Sequence, residues 1–145
     1  MNIVMCVGDS GEMLFNGRRV SRDEVACGDI LKQLKGERLY IKPYSQKLFA
    51  PFEGNANLPT VCEDPLGTAS DGEWCFIEDE DIMPYFDKIE KLLIYNWKLN
   101  YPYDMRLDLD YVRGKLRLSE MKKLVGKAHE KITRELYRKD YRSKI

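Results

Sequence analysis

Short apolar runs alternate with polar, turn-rich segments along the chain, and each run predicts one element of secondary structure. The runs that predict strands lie at 3–7, 39–41, 60–63, 74–77 and 92–95, and the strands at 3–7 and 92–95 are expected to be buried. Strands separated by helical segments are expected to form a mainly parallel sheet with helices on its faces. The pattern therefore predicts an α/β fold class, with a mixed, mainly parallel sheet and a single domain over residues 1–145.

Helical segments are predicted between these runs. Ser21 and Glu24 fit a capping box at the start of the first helix, whose apolar positions recur at helical spacing until Gly36 ends it. Ser45 is expected to cap a second, short helix. The acidic residues 79–81 suit the start of a third helix, because carboxylates are favourable at helix N-termini.

The remaining segments are less uniform. Strict alternation over 105–111 predicts a strand with one wet face, and Leu116 and Leu118 predict the start of another. Residues 131–141 fit either a helix or a closing strand, because their apolar positions satisfy both spacings. The segments 53–57 and 64–72 are predicted to be loop and turn.

Charge is balanced overall but divided along the chain. The 24 basic residues cancel the 24 acidic ones, which argues against nucleic acid as a partner. Residues 53–81 carry nine acidic and no basic side chains, whereas residues 115–145 carry eleven basic and four acidic ones. This division either steers a partner or favours head-to-tail self-association, or it is a solvated surface without a binding role.

The cysteine pattern and hydropathy predict a soluble, reduced, cytoplasmic protein. The four cysteines form no Cys-x-x-Cys pair, and Cys6 and Cys75 lie inside apolar runs, where a thiol acts as a small hydrophobe. No apolar stretch approaches the length of a membrane span, and no signal-peptide pattern is present.

Candidate ligand-binding residues follow the first strand, because ligands of α/β proteins bind beyond the carboxyl ends of strands and near helix N-termini. They are Asp9, Asn16, Arg18, Arg19, Ser21 and Asp23. The two arginines suit a phosphate or a carboxylate, or they lie on a solvated turn. Asp23 is expected either to contact a ligand or only to complement the helix dipole.

A second group of candidates follows the run at 92–95. Asn96, Trp97 and Tyr101 place amide and aromatic groups where a planar ligand could stack, or where they only cover the sheet edge. His129 with Glu130 could form an acid–base pair, but with no nucleophile beside it in sequence a surface position is the prediction. No P-loop, Gly-x-Ser-x-Gly or dinucleotide fingerprint is present, and no metal or cofactor site is predicted.

The order of elements resembles dihydrofolate reductase over residues 1–110. Gly11 and Asp23 keep that family's twelve-residue spacing between a loop glycine and the carboxylate that opens its first helix. Leu58-Pro59 before Thr60 looks like the Leu-Pro-Gly that precedes its next strand. The resemblance implies a dihydrofolate-reductase-like fold, with Asp23 at the position that binds the pterin.

Departures from that family bear on activity. Its Leu-Pro-Trp before the helix is replaced by Arg18-Arg19-Val20, and its Gly-Gly after the central strand by Asn96-Trp97. A large indole would obstruct the approach of a dinucleotide pyrophosphate. The resemblance therefore implies the fold without nicotinamide-dependent reduction.

The chain also resembles a group of short bacterial proteins that share a Phe-Asn-x-Arg-Arg segment, here 15–19, and a His-Glu-Lys-Ile-Thr segment, here 129–133. Such proteins are sometimes labelled ribonuclease Z. That zinc-dependent hydrolase needs several histidine ligands, and His129 is the one histidine of this sequence, which argues against the label.

Three functions follow from these observations. The first is a small-molecule or nucleotide-binding domain without reductase activity, whose ligand lies between segments 9–23 and 96–103. The second is a protein-binding or self-associating module that uses the acidic middle and the basic C-terminal tail. The third is an RNA-binding protein that uses the tail. Whether the chain catalyses any reaction is left open by the sequence.

Overall fold

A computed structural model describes residues 1–54 and 57–139. Ten strands lie within these residues. In chain order they are β1 (Asn2–Val7), β2 (Glu12–Phe15), β3 (Arg18–Arg19), β4 (Leu39–Ile41), β5 (Thr60–Val61), β6 (Trp74–Phe76), β7 (Lys91–Asn96), β8 (Met105–Arg106), β9 (Leu116–Leu124) and β10 (Ile132–Lys139).

Seven of these strands form the main sheet, in the order β5-β4-β6-β1-β7-β10-β9. The first five run parallel to one another, whereas β10 is antiparallel to β7 and β9 is antiparallel to β10. The central strand β1 lies between β6 and β7, so the carboxyl ends of these three strands meet at one edge of the sheet. The predicted mixed, mainly parallel α/β fold is confirmed.

The helices cover both faces of this sheet. They are α1 (Glu24–Gln33), α2 (Gln46–Phe49), α3 (Pro65–Thr68) and α4 (Leu109–Lys115), together with 3₁₀ helices at Pro43–Ser45, Ala50–Phe52 and Met83–Lys88. Alternate residues of β1 enter two different cores: Ile3 and Met5 pack on the α4 side, and Val4 packs on the α1 side. The Tyr95 hydroxyl fixes α1 to the sheet by donating to Asp29 Oδ2 at 2.7 Å.

The connection from β1 to α1 contains a hairpin. β2 pairs with β3 and with β8 in a second, three-stranded sheet, and the hairpin turns at Asn16 and Gly17, both at positive φ. Gly11 also has a positive φ, of 91°, and a Cβ at this position would collide with the Leu107 carbonyl oxygen. The backbone therefore requires glycine here.

Helix caps explain two further corrections. Asp23, not Ser21, caps α1, because its carboxylate accepts from the Val25 amide at 2.9 Å. The strand predicted over 105–111 ends after two residues, because Asp108 caps α4 by accepting from the Tyr111 amide. A side-chain cap thus outweighs the alternating pattern.

Three other predictions also change. The helix expected from residue 79 is a 3₁₀ helix that begins at Met83, where the Asp81 carboxylate accepts the Met83 amide. The predicted turn at 64–72 contains α3, which Asp64 caps. Within the ambiguous segment 131–141, Ile132–Lys139 form strand β10, which pairs on both sides, with β7 and β9. Residues 140 and 141, like residues 55 and 56 of the predicted loop, lie outside the described residues.

None of the helices within residues 1–54 and 57–139 has the length and apolar character needed to cross a membrane.

Candidate functional site

The candidate site lies where β1 and β7 end side by side. Asp9 follows β1 and meets the end of β7: its Oδ1 accepts from Asn96 Nδ2 at 3.3 Å and pairs with Lys98 Nζ at 3.1 Å. The Asp9 amide donates to the Leu99 carbonyl. These contacts join the two segments that the sequence predicts to be the walls of a cleft.

Asp23 is buried at the centre of the site and accepts five hydrogen bonds. Oδ1 accepts from the amides of Val25 and Lys127, at 2.9 and 3.0 Å. Oδ2 accepts from the Ala128 amide at 2.8 Å, the His129 amide at 3.1 Å and His129 Nδ1 at 2.9 Å. Two carboxylate oxygens offer about four lone-pair positions. The chain's own donors therefore saturate Asp23.

These donors keep Asp23 ionised. Burial by itself raises the pKa of Asp23, but the hydrogen bonds from His129 and from the Lys127 and Ala128 amides outweigh burial and hold the pKa below its usual value. The side chain is 0% exposed. The three consecutive amides at 127–129 form an anion-binding concavity around the carboxylate.

His129 connects Asp23 to two hydroxyl groups. Its Nε2 lies 2.8 Å from Ser21 Oγ and 3.2 Å from the Tyr101 hydroxyl. An ionised carboxylate only accepts, so in the neutral imidazole the proton lies on Nδ1, facing Asp23. Nε2 is then an acceptor, and the Ser21 and Tyr101 hydroxyls compete to donate to its one lone pair.

Trp97 fixes the plane of the imidazole. The two rings are stacked with centroids 4.5 Å apart and an interplanar angle of 16°. Trp97 is 2% exposed, and its Nε1 has no hydrogen-bond partner among the described residues. The indole therefore fills the space beyond β7 with a buried aromatic face.

The predicted surface position of His129 is wrong. Its side chain is only 4% exposed, and its partners are Asp23, Ser21 and Tyr101 rather than the exposed Glu130. Asp23 and His129 are 106 residues apart. No local pattern marks a pair at that separation, so spacing rules could not have found it.

Glu12 positions the segment that carries Tyr101. Its buried carboxylate accepts from the Ser10 amide at 2.6 Å, the Tyr101 amide at 2.7 Å and Asn100 Nδ2 at 3.1 Å. Burial alone raises the pKa of Glu12, but hydrogen bonds from backbone amides and from Asn100 lower it overall. Glu12 on β2 thereby holds the Tyr101 backbone against the rest of the site.

A third buried carboxylate, Glu78, follows β6 and anchors Arg19. Arg19 Nε and Nη2 donate to its two oxygens at 2.8 and 3.0 Å, and Ser45 Oγ donates to Oε2 at 2.7 Å. The hydrogen bonds that Arg19 donates to Glu78 raise the pKa of Arg19. Arg19 also lies over the Tyr44 ring, 4.5 Å from its centroid. The charge of Arg19 is thus neutralised by Glu78, and its side chain is held in place.

Two other arginines remain available to a ligand. An open cleft of about 550 Å³ is lined by Arg18, Arg19, Ser21, Arg22, Tyr44 and Ala128. Within residues 1–54 and 57–139, neither Arg18 nor Arg22 forms an ion pair. The cleft therefore has two uncompensated positive charges on its wall, with the Ser21 hydroxyl between them in sequence.

The structure brings most of the predicted residues into two groups. Ser21, Asp23, Trp97 and Tyr101 surround His129, and Asp9 pairs with Asn96. Arg18 and Arg19 share the cleft with Ser21. Asn16 instead lies at the hairpin turn, where its amide donates to Asp104 Oδ2.

Glu78→Gln is expected to lower the free energy of unfolding by about 2 kcal/mol, because an amide of the same size cannot balance the Arg19 charge. Urea denaturation measures the change. Glu37→Gln, at an exposed position, is the matched control and should leave the midpoint unchanged. Equal midpoints for the two variants would show that the Arg19–Glu78 pair has no stabilising role.

No protein-family model matches the chain, and no curated protein matches it. Among solved structures it is similar to a dihydrofolate reductase from Enterococcus faecalis, determined in complex with NADP(H) and RAB-propyl. That similarity covers 97% of this chain and 96% of the enzyme, with a TM-score of 0.62 and 9% sequence identity. The chain therefore has the dihydrofolate reductase fold.

Proposed function

We propose that the protein binds an anionic small molecule, with nucleotides as the first class to test, and that it has no dihydrofolate reductase activity. The observation that carries the proposal is the cleft of about 550 Å³, whose wall includes the guanidinium groups of Arg18 and Arg22, which form no ion pair with the residues that the structure describes. Guanidinium groups bind phosphate and carboxylate through paired, charge-assisted hydrogen bonds.

The neighbouring side chains support an anion with a planar group. Arg19 is held by Glu78 and stacked on Tyr44, so it gives the cleft a rigid edge rather than a mobile charge. The Tyr44 ring is 36% exposed and lines the cleft. An aromatic ring beside a cationic wall is a common way to bind a base and its phosphate.

Two features support the loss of reductase activity. The strands that flank β1 are followed by Ile77-Glu78 and by Trp97-Lys98, so neither is followed by a Gly-Gly that would leave backbone open to a pyrophosphate. Asp23, the carboxylate that the resemblance assigns to the pterin, already accepts five hydrogen bonds from the chain. These residues do not fit the family's cofactor and substrate.

Isothermal titration with inorganic phosphate, a nucleoside monophosphate and a nucleoside triphosphate tests the binding proposal. Arg18→Gln and Arg22→Gln should each weaken the observed affinity by about tenfold, because each removes one charge-assisted contact worth about 1.5 kcal/mol. Arg117→Gln, on the edge strand β9, is the matched control and should bind like the wild type. When the protein is mixed with dihydrofolate and a reduced nicotinamide cofactor, the absorbance of the reduced nicotinamide should stay constant.

Absence of binding by every one of these anions would overturn the proposal. Binding that Arg18→Gln and Arg22→Gln leave unchanged would also overturn it, because the ligand would then lie elsewhere. A fall in nicotinamide absorbance that depends on dihydrofolate would contradict the proposed loss of reductase activity.

A further inference from the structure

We infer that Ser21, His129 and Asp23 form a catalytic triad for acyl transfer, with Ser21 as the nucleophile and an ester that bears an anionic group as the substrate. The inference rests on the proposed function, because the anionic group of the ester would bind to Arg18 and Arg22 in the cleft that Ser21 lines.

The three side chains are connected in the order that this chemistry needs. Ser21 Oγ lies 2.8 Å from His129 Nε2, and His129 Nδ1 lies 2.9 Å from Asp23 Oδ2. Because Asp23 holds the proton on Nδ1, the Nε2 lone pair faces the hydroxyl of Ser21. A serine, a base and a carboxylate linked in this way define a triad by geometry, independently of fold and of order in the chain.

Burial separates the roles of the three residues. Asp23 and His129 have side chains 0% and 4% exposed, so both are held within the protein rather than in bulk solvent. Ser21 is half-buried and lines the open cleft, so a substrate can reach its oxygen. The imidazolium that forms after proton transfer would be stabilised by the Asp23 carboxylate and by the face of Trp97.

The hydrogen-bonding needs of the buried imidazole do not by themselves explain why the Ser21 hydroxyl lies beside Nε2. The Tyr101 hydroxyl also lies within hydrogen-bond distance of Nε2, at 3.2 Å, and one lone pair accepts one proton. A second hydroxyl at 2.8 Å is therefore not needed to satisfy the ring. Its position between the base and the cleft is the one that a nucleophile occupies.

The reaction balances without a cofactor. Ser21 Oγ attacks the ester carbonyl carbon as its proton passes to His129 Nε2, giving a tetrahedral adduct. The adduct collapses to an acyl-Ser21 ester, and the leaving alkoxide takes the proton from His129. Water then attacks the acyl carbon and gives a proton to Nε2; collapse releases the carboxylic acid and returns the proton to Ser21.

A fluorophosphonate probe tests the nucleophile directly. Incubation of the full chain, followed by intact-mass and peptide mass spectrometry, should give one adduct, located on Ser21, with loss of fluoride. Ser21→Ala should abolish the adduct. Ser70→Ala, which removes an exposed serine, should label at the wild-type rate. His129→Gln should slow labelling by at least about a hundredfold, the usual contribution of a general base.

Tyr101→Phe gives a second measurement that does not depend on replacing a buried group. Removing the competing hydroxyl leaves Ser21 as the one hydroxyl on Nε2 among the described residues, so labelling should become faster. Labelling at the Ser21→Ala level in this variant would overturn the triad. So would a folded wild-type protein with no adduct on Ser21, or equal labelling rates in wild type and His129→Gln.

Ester hydrolysis then tests the substrate class. A p-nitrophenyl ester with a free carboxylate on its acyl chain should be cleaved faster than p-nitrophenyl acetate, and Arg18→Gln should reduce that preference about tenfold. If anions bind but Ser21 is not labelled, the triad fails and the proposed function stands. If Ser21 is labelled but no anion binds and the preference is absent, the proposed function and the substrate class fail.

Discussion

Asp23→Asn is expected to lower the free energy of unfolding by about 3–5 kcal/mol, the cost of removing one partner from a buried, fully hydrogen-bonded charge. An asparagine keeps one acceptor oxygen but turns an NH₂ group towards amides that also donate. Because three donors meet Oδ2 and two meet Oδ1, either orientation of the amide places donors against donors.

Urea denaturation followed by circular dichroism measures this loss, and Asp71→Asn, at an exposed position, is the matched control with no expected change. Acid titration supplies a second readout. Since the folded pKa of Asp23 is lower than the unfolded one, its contribution is present above about pH 4 and is lost as the pH falls through the folded pKa. The stability of Asp23→Asn should therefore fall less steeply in acid. A loss below about 1 kcal/mol would contradict the structural role of Asp23.

Gly126→Ala is the second large effect that we expect, with a loss of about 3 kcal/mol of unfolding free energy. A Cβ at residue 126 would meet Asp23 Oδ2, and would lie 2.7 Å from Ile132 Cδ1 and 2.8 Å from the His129 carbonyl oxygen. These neighbours are a saturated carboxylate, a buried core residue and backbone, so none can move cheaply. A methyl group at residue 126 should also displace the neighbouring amides of residues 127–129, which donate to Asp23. The imidazole of His129 should then lose its orientation.

Gly114→Ala makes the same substitution at an open position and is the matched control. Gly114 lies in α4, and a Cβ there meets no heavy atom within 4 Å. Alanine in a helix should be neutral or stabilising by about 0.5–1 kcal/mol. Thermal unfolding of the two variants should therefore shift in opposite directions or differ by several degrees. A Gly126→Ala variant that unfolds at the same temperature as Gly114→Ala and the wild type would contradict this prediction, because the loop would then accommodate the methyl group at residue 126.

The fold was largely predictable because the strands of the sheet are apolar runs with clear ends. The elements that were predicted incorrectly share a cause. Asp108, Asp64 and Asp81 form side-chain hydrogen bonds to nearby amides, and a hydropathy pattern does not record such bonds. These local hydrogen bonds favour α4, α3 and the 3₁₀ helix at positions where the sequence pattern predicts a strand, a turn or an earlier helix start. A search for aspartates two or three residues before an apolar position would have found them.

The candidate site was only partly predictable. Glu78 follows β6 as directly as Asp9 and Asn96 follow their strands, so the same rule could have identified it. His129 could not be found in this way, because its environment is created by residues between 28 and 108 positions earlier in the chain. Burial of a histidine depends on what packs over it, and Trp97 and the Asp23 carboxylate supply that cover.

The 127–129 loop joins β9 to β10, and this placement has a consequence for how the protein matures. Sequence-distant contacts form late, because the chain must first pay for closing a long loop. Asp23 and Ser21 are translated early, but they meet their imidazole only when the β9–β10 hairpin docks on the far side of β7. Reaction of Ser21 with a fluorophosphonate probe would therefore mark the completion of folding. A nascent chain in which the β9–β10 hairpin has not yet docked would not react at Ser21.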